Sequence, residues 1–543
     1  MADSEDEQKG GRVPPRWTWQ KRALGSFPTA KILDPVVETV REITAFPTAY
    51  LPDRLIIEVD DDVTEGTSAR FQAVAEAAAV FGWEARAVDV AGRPVDVAGR
   101  PVEADDARRR REHGTDPGFI LALLSLSDDA ERVELPSPDA WRVLQRARAR
   151  TNGVLEGVGL DHLVSIDPVG LNPFTHTNPF THTNPFTHTN PFRHTNPFTH
   201  TNPVDEYASP GCGGRQPVAY VGPAPSRAAD ADYPGRRRVV AIMDTGCGEH
   251  PWLPAGIVTR RLKLDGKVIG LSDDADPEKY PNLYGPLDGM LDPVAGHGTF
   301  IAGIVRQAAP DADIVSVRVA NALGVVAESD LLVTLADVVE VARRFREEGS
   351  SQAIDVLNLS LSYYHETPKD RQYSTLITRL LRRARHLGVV VVCSAGNDAT
   401  DRPAFPAALW PWDEAGLGIE VDKAPPLLSV GALNASGTST ALFSNVGPWV
   451  QVYAVGAGVM STSPPFVGGL QSTSRDDRYG RVRESADVDD YRGGFAIWSG
   501  TSFAAPLVAG RIAHALGSES AVSPDDVLQR ARDAVDEVLR ATP

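Results

Sequence analysis

Asp244, His297 and Ser502 stand in three short segments of small residues: AIMDTG at 241–246, AGHGTFIAG at 295–303 and WSGTSFAAPLVAG at 498–510. A serine hydroxyl is a weak nucleophile near neutral pH and needs a base to take its proton as it attacks. Neutral imidazole can take that proton and return it to a leaving amine, while a buried carboxylate fixes the ring tautomer and stabilises the imidazolium. Carboxylate, imidazole, hydroxyl along the chain is one of three unrelated orders in which such a hydrolytic set occurs. Each segment alone has a plainer reading: a turn for DTG, a glycine-rich helix start for GHGT, a capped helix for GTSFAAP. Their joint occurrence in this order favours the chemistry.

The flanks supply the elements that must position these groups. The apolar run VVAIM before Asp244 predicts a buried strand ending at the carboxylate, with Thr245-Gly246 as a turn. Gly296 to Gly303 predicts a glycine turn running into a helix, with His297 near its start. Ser502 is expected at a helix entrance, with Pro506 in the early part of that helix, where a missing N–H is best tolerated. The N–H groups of such a helix terminus would face a developing oxyanion. A fourth segment, GVVVVCSAGND at 388–398, predicts a β-branched strand ending in Ala395-Gly396-Asn397. The Asn397 amide there could donate to the oxyanion beside the Ser502 N–H.

These four segments resemble the signature regions of subtilisin-like serine proteases, the subtilases. DTG, GHGT, SAGN and GTSFAAP match in order, and APDADIVSVRV (309–319), VLNLSLS (356–362), PAFPA (403–407) and LLSVGALN (427–434) match between them. The resemblance covers residues 236–520 and implies an α/β fold: a doubly wound, mostly parallel sheet with helices on both faces. It implies a serine endopeptidase acting through Asp244, His297 and Ser502, with Asn397 at the oxyanion. It further implies that Ser360-Leu361-Ser362 pair with the substrate backbone and that Ser394-Ala395-Gly396 wall the primary specificity pocket. An extended peptide would then be held as an added strand. Phe503 stands where the family commonly has Met, and Phe300 replaces a frequent second His. A catalytically silent or autoinhibited, protease-derived binding or regulatory protein is the alternative reading.

The chain has 543 residues, 42% of them hydrophobic, enough for two or more domains with a sizeable core. A formal net charge of −18 disfavours nucleic acid as a partner and leaves protein or peptide substrates. No apolar run approaches a membrane span, and MADSEDEQKGGRVPPRWTWQKR lacks a signal-peptide pattern, so a cytoplasmic location is expected. Three cysteines, Cys212, Cys247 and Cys393, suit reduced thiols. Cys247 reads as a buried hydrophobe or as a thiol whose modification disturbs Asp244. The chemistry requires no cofactor. Subtilases often bind Ca²⁺, and carboxylates cluster at Asp273–Glu278 and Asp487–Asp490, but neither cluster shows defined ligand spacing and a solvated acidic surface is the plainer reading.

Residues 1–50 read as an irregular tail, and 51–170 as a small α/β domain in β-α-β-β-α-β order, ferredoxin-like. Two readings stand for that domain: a propeptide-like intramolecular inhibitor, or a retained regulatory or targeting module. A linker follows at 171–235, in which NPF[TR]HT occurs five times between Asn172 and Thr201. Proline at every sixth residue excludes a regular helix there. The five histidines could bind a transition metal and the NPF triplets could be peptide ligands, but duplication in a tolerant linker is the simpler origin, as DVAGRPV is also duplicated at 89–102. The peptidase domain is expected over 236–543, with an inserted hairpin or loop at 464–495 near the active-site face. SPDDVLQRARDAVDEVLRA at 523–541 predicts a closing helix capped by Ser523.

Overall fold

The computed structural model describes residues 27–59 except 28 and 41–43, 64–100 except 98, 118–127, 136–151, 155–166, 207, and 213–542 except 221, 285–290, 368–374, 413–418, 420, 468–474, 485–490 and 519–522. The NPF[TR]HT repeats, Cys212 and Asp487–Asp490 lie outside these residues. No helix among the described residues is long and apolar enough to cross a membrane.

The N-terminal unit consists of β1 (Ala49–Glu58), α1 (Thr64–Ala79), β2 (Trp83–Val88), β3 (Phe119–Leu126), α2 (Ala140–Arg150) and β4 (Val158–Ser165). Its sheet has the order β4-β1-β3-β2, antiparallel throughout, as a ferredoxin-like unit requires. Alternation along β1 explains the two faces. Leu55 and Ile57 point into a core with Trp83 and Trp141, on the side of the unit's own helices. Ile56, Leu121 and Val164 join a second core with Leu331 and Leu335 of the following domain. Strand β1 begins at Ala49, inside the expected tail. Its register shifts between Tyr50 and Leu55, around Pro52, which has no N–H for the ladder. Lys31–Ile32 pair with Ala49 and Tyr50, so part of the expected tail is in the sheet.

The second domain contains β5 (Val239–Asp244), α3 (His297–Ala308), β6 (Asp313–Arg318), β7 (Val325–Ala327), α4 (Glu328–Glu348), β8 (Val356–Leu359), α5 (Thr375–His386), β9 (Val390–Ser394), β10 (Leu428–Leu433), β11 (Val452–Val455), β12 (Val459–Thr462), β13 (Arg475–Arg478), β14 (Arg481–Glu484), β15 (Phe495–Trp498), α6 (Thr501–Ala515) and α7 (Pro524–Ala541). Its central sheet runs β11-β10-β9-β8-β5-β6, parallel throughout, with Val258–Thr259 at the far edge. All six residues of β5 are buried, as a strand covered on both faces demands. Its neighbours β6 and β8 both follow it in sequence and lie on opposite sides. Asp244 therefore sits at the carboxyl end of a switch-point strand, where open α/β sheets place their ligands. The sheet is doubly wound, mostly parallel α/β, as the sequence implies.

The segment at 464–495 carries the antiparallel hairpin β13–β14, turned by Tyr479 (φ 55°) and Gly480 (φ 71°). Helix α7 begins as read, with the Ser523 hydroxyl accepting from Asp526 N at 3.2 Å. Its buried stripe is Ala531, Ala534, Val535 and Val538, while Val527, Leu528 and Leu539 are half-buried.

Candidate active site

Asp244 ends β5 and His297 opens α3, and the two side chains are fully buried. His297 Nδ1 donates to Asp244 Oδ1 at 2.8 Å. The same oxygen accepts from Thr245 N at 2.8 Å and Thr245 Oγ1 at 3.0 Å. That leaves His297 Nε2 as the lone-pair nitrogen, with no hydrogen-bond partner among the described residues. Gly296 caps α3 at φ 81°, a left-handed conformation that glycine adopts without strain. Gly298 allows the helix start to approach the strand end: a Cβ there would lie 2.0 Å from Gly246 O.

Ser502 occupies the second position of α6 and is 2% exposed. Its hydroxyl donates to Ser360 O at 3.5 Å instead of to His297. Pro506 lies early in α6, in its second turn. A proline there leaves the carbonyl four residues back without its helical donor. That carbonyl is Ser502 O, and Ser360 Oγ donates to it at 3.1 Å. Ser360 thus supports the Ser502 turn twice, by its hydroxyl and by its carbonyl.

Asn397 follows the end of β9. Its Oδ1 accepts from both Thr501 N and Thr501 Oγ1 at 2.8 Å, which leaves the NH2 as the donor end of the amide. Thr501 Oγ1 in turn accepts from Gly396 N at 3.1 Å. Thr501 thus orients the Asn397 amide, a contact that the sequence does not single out although the residue stands inside GTSFAAP. Ser394, Ala395 and Gly396 are brought beside this corner: Ala395 N donates to Val430 O at 2.9 Å, and Gly396 has φ 100°.

Aromatic rings close around His297. Trp498 meets it edge-on at 5.5 Å and Phe503 is tilted against it at 5.1 Å. Phe300 and Phe503, the two departures from the family pattern, pack on each other at 4.5 Å. Both are buried, so they form one apolar wall in place of two polarisable or polar groups. Burial pushes the Cys247 thiol up to about 12, which supports the buried-hydrophobe reading over the reactive one.

In the acidic stretch 272–280, Asp273 and Asp274 are exposed as a solvated surface requires, and Glu278 departs from that expectation. Asp273 pairs with Arg318 at 2.7 Å, but Glu278 is 3% exposed and faces the start of α3. Its carboxylate accepts from the side chains and backbone of Thr245, Gly298 and Thr299. Nothing in an exposed-looking run of acids marks one member as buried.

Ser360, Leu361 and Ser362 form an edge that is already paired. Ser165, the last residue of β4, exchanges two backbone hydrogen bonds with Ser362, each 2.9 Å. On the other side β7 pairs antiparallel with Leu163–Ser165, and Ile166 N donates to Gly324 O at 2.7 Å. Leu163–Ile166 therefore run as a strand between two segments of the second domain. A buried polar cluster lies behind this strand. His162 Nδ1 is 2.6 Å from Glu328 Oε2, and its Nε2 is 2.8 Å from Glu366 Oε2. Burial opposes charge on His162, but the two carboxylates prevail and push it up to about 10. Burial likewise opposes charge on Glu366, yet His365, His162 and Arg148 hold it well below the usual carboxylate range. Asp161 accepts from Ser329 N and Oγ at the start of α4, an N-cap supplied from the other domain.

The subtilase family model matches residues 235–540, which contain all four signature segments and the whole parallel sheet. Serine protease AprX of Bacillus subtilis strain 168 is 26% identical over 319 residues, covering 56% of this chain and 62% of that protein. An intracellular serine protease of Paenibacillus polymyxa is 26% identical over 294 residues, covering 51% of this chain and 66% of the relative. The chain thus spans less than two thirds of the length of either relative. On the family match, which takes in more than half of its residues, this chain belongs to the subtilase family.

Proposed function

We propose that the chain is a serine endopeptidase that hydrolyses peptide bonds through an acyl-enzyme. The observation that carries this reading is the buried Asp244–His297 hydrogen bond, which leaves Nε2 unpartnered beside the helix turn that bears Ser502. The Ser502 hydroxyl leaves Ser360 O, turns to His297 Nε2 and attacks the substrate carbonyl as the ring takes its proton. Asp244 stabilises the imidazolium, which then protonates the leaving amine. Asn397 Nδ2 and the Ser502 N–H hold the oxyanion, and Thr501 fixes the Asn397 rotamer. Hydroxyl–imidazole hydrogen bonds are often long before substrate binds, so the Ser502–Ser360 contact is compatible with this chemistry.

The N-terminal unit is read as an intramolecular inhibitor. Leu163–Ile166 pair with Gly324–Ala327 on one side and Ser362 on the other, which is how an extended substrate would be held. The alternative of a silent, protease-derived binding protein has no broken site residue in its favour. A fluorophosphonate probe tests the reading. Covalent labelling at Ser502, lost in Ser502→Ala, is expected, whereas an unlabelled chain whose N-terminal unit has been removed by processing would refute it.

A further inference from the structure

One buried carboxylate has no part in the acyl-transfer scheme. Glu278 Oε1 accepts from Thr245 Oγ1 at 2.5 Å and Gly298 N at 3.0 Å. Its Oε2 accepts from Thr299 Oγ1 at 2.5 Å and Thr299 N at 3.3 Å. Gly298 and Thr299 follow His297 in the first turn of α3, where backbone N–H groups have no intrahelical partner. The N-cap residue is Gly296, which has no side chain to satisfy them. Glu278 therefore caps the His297 helix from a separate loop, and its charge lies at the positive end of the helix dipole.

The same carboxylate reaches Asp244 through one residue. The Thr245 hydroxyl lies 3.0 Å from Asp244 Oδ1 as well as against Glu278, and it accepts from Gly298 N at 2.9 Å. It has one proton and two carboxylates competing for it. The end of β5 and the start of α3, which carry Asp244 and His297, are thus joined by a single acid.

We propose that Glu278 is a positioning residue for the Asp244–His297 pair, holding the two elements in register through Thr245 and Thr299. This rests on the reading of Asp244, His297 and Ser502 as the hydrolytic set. Gly298 N, Thr299 N and Thr299 Oγ1 donate to the carboxylate, while the Thr245 hydroxyl serves one of the two acids at a time. Burial pushes Glu278 up to about 8 against the pull of the Thr245 and Thr299 hydrogen bonds, so it titrates in the working range of such chemistry. The groups facing it are Asp244 on β5, Asp276 on its own turn, Cys247 after the strand and the buried Arg215. Arg318 packs beside Gly246 but is engaged by Asp273.

Two readouts on the full-length chain test the role. The first needs no turnover: in a Ser502→Ala chain, the low-field proton resonance of His297 Nδ1–H is recorded with and without Glu278→Gln. The second is the rate of fluorophosphonate labelling at Ser502 as a function of pH. Glu278→Gln is expected to move or abolish the resonance, slow labelling about tenfold, and remove from the pH profile the step that follows Glu278 titration at about 8. If Glu278→Gln does not fold by circular dichroism, Thr299→Val carries the test, since it removes one hydroxyl donor to the acid and leaves Thr245 in place. An unmoved resonance and an unchanged pH profile, with only the melting temperature lowered, would overturn the proposal while leaving the protease reading intact. A moved resonance in a chain that does not label even after its N-terminal unit has been removed by processing would support the positioning role and defeat the protease reading.

Discussion

Ser165 and Ser362 exchange both of their backbone hydrogen bonds, N to O at 2.9 Å in each direction. The first residue ends the N-terminal sheet, and the second belongs to the edge that the family resemblance gives to substrate. On the proposed reading, one pair couples the fate of the N-terminal unit to access to the site. Ser165→Pro removes one donor and sets a ring against the neighbouring strand, at a cost of about 1–3 kcal/mol. Cleavage of a fluorogenic peptide by the unprocessed chain is expected to rise about tenfold. An unchanged rate would show that this strand does not obstruct the cleft.

The His162 cluster predicts the pH at which that strand loosens. His162 is pushed up from 6.5 to about 10 on docking, so its contribution is complete below pH 6.5 and is lost as pH rises through 10. Asp161, pushed up to about 7 by burial, works in the same direction as pH rises toward neutrality. Glu366 contributes above its usual range and loses that contribution only in strong acid. In a Ser502→Ala chain, amide exchange over Leu163–Ile166 should accelerate between pH 7 and 10 beyond the intrinsic rate. His162→Gln breaks the buried pair and is expected to weaken docking by about 3–5 kcal/mol and to flatten this pH response. Exchange that follows the intrinsic rate in both chains would remove His162 from the account.

Asn397→Ala removes the amide and strands the Thr501 N–H and hydroxyl that it accepts. Turnover should fall about 10²–10³-fold with KM nearly unchanged, because the donor acts on charge present only in the transition state. Turnover normalised to the folded fraction, measured by circular dichroism, separates this from a folding defect, which would lower the active fraction and not the rate per folded molecule.

Phe300→Ala opens a cavity beside Phe503 and His297, at a cost of about 3–5 kcal/mol. Chemical denaturation should show this loss with an unchanged slope. A loss under 1 kcal/mol would mean that the aromatic wall collapses to fill the space.

The sequence carried much of this arrangement because the site lies at element ends. Apolar runs predicted β5 and β9, and small residues marked the turns that deliver Asp244, His297, Asn397 and Ser502. The alternating strands and helix formers of the N-terminal unit likewise gave its order, which the β4-β1-β3-β2 sheet bears out. What was not legible depends on contacts far apart in the chain. Glu278 looks like its exposed acidic neighbours until α3 is placed above it. Strand β7 has three residues, too few for a period, and takes its strand identity from pairing with β4. The partner of Ser502 O, freed by Pro506, is Ser360, 142 positions away.

The central claim is that Ser502 attacks peptide bonds with His297 as its base. Intact-mass measurement of the freshly expressed chain over time tests it most directly, with Ser502→Ala in parallel. The wild-type chain is expected to shorten by a cut between the two domains, within 167–235, while Ser502→Ala stays at full length. Equal shortening of the two chains, or a wild-type chain that neither shortens nor takes a fluorophosphonate at Ser502, would contradict the account.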